Sequence, residues 1–153
     1  LMATSEGPKV VEFNARFGDP ETEVVLPLLK SDIYDIFEGI ADMAVGSGCA
    51  CRIAPVWENK VTMGVVLASK GYPGSYAKGA EITGTEDVDA RIYHMGTKMA
   101  DGKLVTAGGR VMMVVCSGED IRQAKEKVYS EISKIHCDNL FFRSDIAHWA
   151  LED

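Results

Sequence analysis

Val61-Thr62-Met63-Gly64-Val65-Val66-Leu67-Ala68 is the stretch whose reading decides the fold class. Val61, Met63, Val65 and Leu67 alternate with Thr62, Gly64, Val66 and Ala68, so one face is fully apolar and the other nearly so. That pattern predicts a strand covered on both sides. Working outward, Gly71-Tyr72-Pro73-Gly74 has turn chemistry and Arg91-Ile92-Tyr93-His94 reads as a strand. Asp101-Gly102, set between Lys98-Met99 and Leu104-Val105, is a two-residue hairpin signal. Val111 to Val115 forms a second buried strand, entered through Gly108-Gly109-Arg110. Ile121, Ala124, Val128, Ile132 and Ile135 then repeat at helical spacing and predict one long amphipathic helix.

Upstream of Val61, Ser31-Asp32 offers an N-cap for a helix with apolar positions Ile33, Ile36, Phe37, Ile40, Ala41 and Ala44, ended by Gly46-Ser47-Gly48. Val24, Val25, Leu28 and Leu29 predict a short helix before it, with Pro27 at a first turn or bend. Glu6-Gly7-Pro8-Lys9 reads as a turn leading into a strand at Val10–Asn14, with Leu1-Met2-Ala3-Thr4 as the end of its partner. The order of strand, helices, strands and helix is α+β. A first strand cut near its end leads us to expect a piece of something longer.

Composition narrows the function. The 153 residues are 46% hydrophobic and 25% charged, which suits an ordinary globular unit with a real core. Net charge is −7 and there is no dense Lys/Arg run, which argues against a nucleic-acid partner. The longest apolar runs, such as Met63–Ala68 and Val111–Cys116, fall short of the ~20 residues that span a bilayer, so no membrane role is expected. Cys49, Cys51, Cys116 and Cys137 lack zinc spacing, and His94, His136 and His148 lie far apart. Free thiols and a cytoplasmic location are the expectation.

The candidate chemistry lies in Glu12-Phe13-Asn14-Ala15-Arg16-Phe17-Gly18-Asp19-Pro20-Glu21. On a strand, Glu12, Asn14 and Arg16 share one face, with Val11, Phe13 and Ala15 on the other. A carboxylate and an amide carbonyl are hard oxygen donors suited to Mg²⁺ or Mn²⁺, and a neighbouring arginine can offset phosphoryl charge. A solvated sheet face with an ion pair is the plain alternative. Gly108-Gly109-Arg110 sets a guanidinium beside two exposed backbone N–H groups and can cradle a phosphate. A bulge carrying a surface arginine is the other possibility there. His94 reads as a structural hydrogen-bonder, and Met95, Met99, Met112 and Met113 as core filler.

These residues carry a resemblance. Glu12-Phe13-Asn14 with Arg16-Phe17-Gly18-Asp19-Pro20-Glu21 resembles the signature of the phosphoribosylamine–glycine ligase (glycinamide ribonucleotide synthetase) family, ATP-grasp enzymes of purine biosynthesis. Pro27–Asp32, Val65–Tyr76, His94–Thr97, Gly108–Val111 and Arg143–Ile146 resemble family segments in family order. The likeness covers essentially the whole chain and the C-terminal third of a typical member. The sequence departs at Glu23, where an uncharged residue is expected, and at Ala147-His148, where Gly is usual after Asp145-Ile146.

The resemblance implies that residues 1–45 are the C-terminal end of an ATP-grasp domain and 46–153 a small α+β domain. It implies a ligase using ATP, glycine and 5-phosphoribosylamine, with the missing N-terminal part of the same enzyme as partner. Glu12 and Asn14 would bind Mg²⁺ or Mn²⁺, Arg16 would meet the transferred phosphoryl, and Gly18 and Asp19 would line the adjacent pocket. Gly108, Gly109 and Arg110 would take the sugar 5-phosphate. The chain alone is expected to be inactive. A non-catalytic binding or assembly module on the same scaffold is the alternative. A carboxylase subunit is a third reading, against which the Arg16–Glu21 string argues.

Overall fold

The computed structural model describes residues 1–46 and 54–151, so Cys49 and Cys51 lie outside the described residues. In chain order, β1 (Met2–Thr4) and β2 (Gly7–Lys9) form a hairpin, and α1 (Thr22–Val25) runs into a 3-10 turn at Leu26–Leu28. Then come α2 (Ile33–Ala44), β3 (Val61–Ser69), β4 (Arg91–His94), β5 (Thr97–Ala100) and β6 (Lys103–Thr106). β7 (Arg110–Gly118), α3 (Ile121–Ile132) and β8 (Leu140–Phe141) complete the main elements, and a 3-10 turn at Trp149–Leu151 follows. The α+β reading holds.

β3 and β7 are the centre of an antiparallel sheet ordered β4-β7-β3-β8. α3 covers one face. Met63, Val65 and Leu67 of β3, Met112, Val114 and Cys116 of β7, and Ala124, Val128 and Ile132 of α3 form its buried core. Asp120 caps α3 by accepting the Gln123 N–H at 2.8 Å, leaving one fewer orphan donor at the helix start. The helix ends at Ile132, three turns long, and Ile135 packs against the core from beyond it. Cys116 is buried in this layer, and burial raises its thiol pKa.

The other face of the sheet receives α1. Val24 sits over Gly64, where a Cβ would come within 2.8 Å of the Val24 Cγ1 and 2.0 Å of the Met113 Cε. Only a glycine lets the helix approach this closely. The Thr62 hydroxyl donates to the Val24 carbonyl, tying α1 to β3. The Asp101-Gly102 turn has positive φ at both residues, as a type I′ hairpin requires, and joins β5 to β6.

Three expectations need correction. The strand lies at Gly7–Lys9 with its turn at Ser5-Glu6, while Val10–Asn14 runs without strand pairing. The apolar side of that stretch is not buried: Phe13 is 90% exposed. Met99 is exposed on the outer face of the two-stranded β5–β6 hairpin and fills no core. Among the described residues, no helix is long and apolar enough to cross a membrane.

Candidate functional site

The site begins with an irregularity. β3 and β7 pair in register from Val61↔Gly118 to Leu67↔Met112, but the next pair is Ala68↔Arg110. β7 therefore holds one extra residue, Val111, a bulge of the kind that re-aims a side chain. Simple alternation would send Arg110 to the α3 side with Met112 and Val114. Instead Val111 and Met112 both face the core, and Arg110 lines a cleft on the opposite face together with Gly64, Val66 and Met113. Both sequence alternatives are thus partly realised, since the arginine sits on a bulge yet faces a cleft.

That cleft holds about 360 Å³, within the small-molecule range, and is bordered by Pro20, Tyr72, Phe141, Phe142 and Arg143. Tyr72 lies against Gly109, where a Cβ would come within 2.3 Å of the ring. The Gly108 N–H is already donated to the Gly96 carbonyl at 3.0 Å, and the Gly108 carbonyl accepts from the Ser69 hydroxyl at 2.9 Å. Gly108 is therefore tied into the fold and its N–H offers no cradle; Gly109 makes room for Tyr72. Arg110 lines the cleft while its guanidinium bonds to Asp19.

Arg110 Nη2 donates to the Asp19 carboxylate at 3.0 Å across 91 residues of sequence. This half-exposed ion pair joins the two segments singled out in the sequence. Asp19 is placed by the turn into α1, whose start is held by the Thr22 N–H and hydroxyl, both donating to the Gly18 carbonyl. Asn14 Nδ2 donates to Glu12 Oε1 at 2.8 Å, so these two side chains lie side by side, although no paired strand presents them. Arg16 instead donates to the carbonyl of its neighbour Phe17 at 2.8 Å, and Phe17 rests on Phe37 of α2 with ring centroids 6.2 Å apart. His94 bonds to the Thr97 hydroxyl at 2.9 Å, a turn contact.

A cation fits the Glu12–Asn14 pair on donor chemistry, because a carboxylate and an amide carbonyl are hard oxygens at an open edge. Among the described residues no three His, Cys, Asp or Glu side chains converge as a cage. Further ligands would have to come from water or a bound phosphate. The sequence placed the Gly71-Tyr72-Pro73 turn at a rim, where Tyr72 does line the cleft, but did not assign Phe141, Phe142 or Arg143 to it. Only the Arg143–Ile146 segment, singled out for its resemblance, carried a trace of the last of them.

A sheet backed by one helix, with an arginine-lined cleft on its other face, defines an α+β domain with a cleft of small-molecule size. Comparison with known proteins makes the assignment specific. Residues 62–149 match the family described as phosphoribosylglycinamide synthetase, C domain, and the chain belongs to that family. It is 50% identical over 148 residues to a phosphoribosylamine–glycine ligase of Caldanaerobacter subterraneus, covering 96% of this chain and 34% of that protein. It is 44% identical over 155 residues to the human trifunctional purine biosynthetic protein adenosine-3, covering 99% of this chain and 15% of that protein. The crystal structure of a phosphoribosylamine–glycine ligase from Thermotoga maritima superposes with a TM-score of 0.70 at 35% identity, covering 94% of this chain and 34% of that one. The chain spans about a third of the length of the single-function ligases it matches.

Proposed function

We propose that this chain supplies the C-terminal third of an ATP-dependent ligase that joins glycine to 5-phosphoribosylamine, forming glycinamide ribonucleotide with release of ADP and phosphate. Residues 1–45 would be the end of an ATP-grasp domain and 46–153 the small domain that closes on it. The observation that carries this reading is the bulge-directed Arg110, ion-paired to Asp19 at the mouth of the cleft. It brings the two segments that resemble the family's phosphoryl-transfer and sugar-phosphate motifs into one place. The name of the 50% identical relative supplies phosphoribosylamine and glycine as substrates.

In this reading the glycine carboxylate takes the γ-phosphoryl of ATP, and the amine of the sugar then displaces phosphate from the acyl phosphate. Glu12 and Asn14 would hold Mg²⁺ or Mn²⁺, which when bound offsets charge on the ATP phosphates. Arg16, once released from the Phe17 carbonyl, neutralises the transferred phosphoryl. Gly18 and Asp19 line the amino-acid side, and Arg110 exchanges part of its pairing with Asp19 for the 5-phosphate of the sugar. Gly109 keeps the cleft wall close by seating Tyr72. The setting is the cytoplasm. In the full-length polypeptide, Glu12→Ala and Asn14→Ala should each cut kcat by far more than they raise the KM for glycine. Wild-type turnover of both variants at limiting Mg²⁺ would refute the metal assignment.

A further inference from the structure

Two arginines, Arg110 and Arg143, line the cleft, and the proposed reaction uses only Arg110. Arg143 follows β8 by two residues and borders the same cleft beside Phe141 and Phe142. Its backbone is fixed from α3: the Tyr129 hydroxyl donates to the Arg143 carbonyl at 2.7 Å, and the Tyr129 and Phe142 ring centroids lie 6.1 Å apart. Its side chain is fixed by Asp145, which accepts from Nε at 2.8 Å and from Nη2 at 2.6 Å. These mutual bonds hold the Asp145 carboxyl below the usual range and push the Arg143 guanidinium up.

A side-on pair of this kind engages the Nε edge only. The end-on fork, formed by Nη1 and the second Nη2 proton, points away from Asp145 and keeps its donors for an anion. Arg143 is thus a cation held in place at both its backbone and its tip. Between the two arginines the floor is apolar, built by Gly64, Val66, Met113 and Ile146. Two arginines beside an apolar floor fit an anion with a carbon skeleton, the phosphate taken by the arginines and the C–H face laid on the floor.

We infer that Arg143, oriented by Asp145, is a second phosphate-contacting residue of this cleft, so that a pentose phosphomonoester is gripped from two sides. The inference rests on the reading of Arg110 as a phosphate ligand. Arg143 acts on the ligand directly, whereas Asp145 is a positioning residue.

The test is a titration of the chain with ribose 5-phosphate, inorganic phosphate and ribose, followed by amide chemical shifts at low ionic strength. Ribose 5-phosphate should bind more tightly than phosphate, and ribose alone should not saturate. Arg143→Gln and Arg110→Gln should each raise Kd by roughly ten- to a hundredfold, the worth of one charge-assisted contact. Arg143→Lys should recover part of the loss, and Asp145→Asn should cost only a few-fold, with unchanged amide dispersion in both. Wild-type affinity in Arg143→Gln with loss in Arg110→Gln overturns the inference and leaves the Arg110 reading intact. Loss in Arg143→Gln alone removes Arg110 from the site and overturns the two-sided grip. No saturation by the wild-type chain up to millimolar ribose 5-phosphate overturns both.

Discussion

α2 and α3 are built to the same local plan and end in opposite environments. Each is 12 residues long, each is amphipathic, and each starts at an Asp whose carboxylate accepts a backbone N–H of the first turn. α3 buries Ala124, Val128 and Ile132 against β3 and β7, whereas α2 fully buries only Gly39. Ile40 and Met43 of α2 stay 59% and 64% exposed. Caps and apolar spacing therefore explain why a helix forms, and only the surface opposite decides whether its apolar stripe is covered. The stretch before α2 shares this condition, since Val10, Val11 and Phe13 are also exposed. The most buried part of the molecule is the sheet with α3, and residues 1–45 meet it through α1 over Gly64 and through the Asp19–Arg110 pair.

The comparison can be broken most severely by truncating each side. Leu67→Ala, at a core position of β3, should cost about 2–5 kcal/mol in urea unfolding. Ile40→Ala on α2 should change it by no more than about 0.5 kcal/mol. Equal losses would mean that α2 is packed as firmly as α3. A smaller effect is expected at the joint. Gly64→Val forces a Cβ into Val24 and Met113, and overpacking of this kind costs about 1–3 kcal/mol. It should also lift α1 from the sheet and free the Arg110 side chain, visible as a shift of its Nε resonance. An unchanged Arg110 signal would show that Asp19 is placed independently of α1.

One further substitution should produce a gain. Ala147 sits at φ +58, the left-handed region that an alanine pays to occupy. Ala147→Gly relieves that strain and should stabilise the chain by roughly 0.5–1 kcal/mol after the extra flexibility of glycine in the unfolded state is subtracted. A lower denaturation midpoint in this variant would contradict the strain argument. The same residue stood out in the sequence as a place where Gly is usual, so a departure from pattern there corresponds to a physical cost.

Much of the sheet was legible because its determinants are local. The two-faced apolar pattern of Val61–Ala68, the Asp101-Gly102 turn and the spacing Ala124, Val128, Ile132 each act within a few residues. The strand placed at Val10–Asn14 was misread because β propensity was present without a partner strand, and pairing decides. The direction of Arg110 was left open by the sequence, between a cradle and a bulge. It depends on one extra residue in β7 counted against Leu67-Ala68 of β3, some 40 residues earlier. Arg143 was missed for a similar reason, because it reaches the cleft only once β8 has paired with the end of β3. The Asp19–Arg110 pair joins segments that both drew attention in the sequence, although nothing local predicts that they touch.

The most direct test of the account is steady-state kinetics of Arg110→Gln in the full-length polypeptide, with each substrate varied in turn. The account predicts that the KM for 5-phosphoribosylamine rises by roughly one to two decades while those for glycine and ATP stay near wild type. A uniform loss across all three substrates, or no loss for the sugar phosphate, would contradict it.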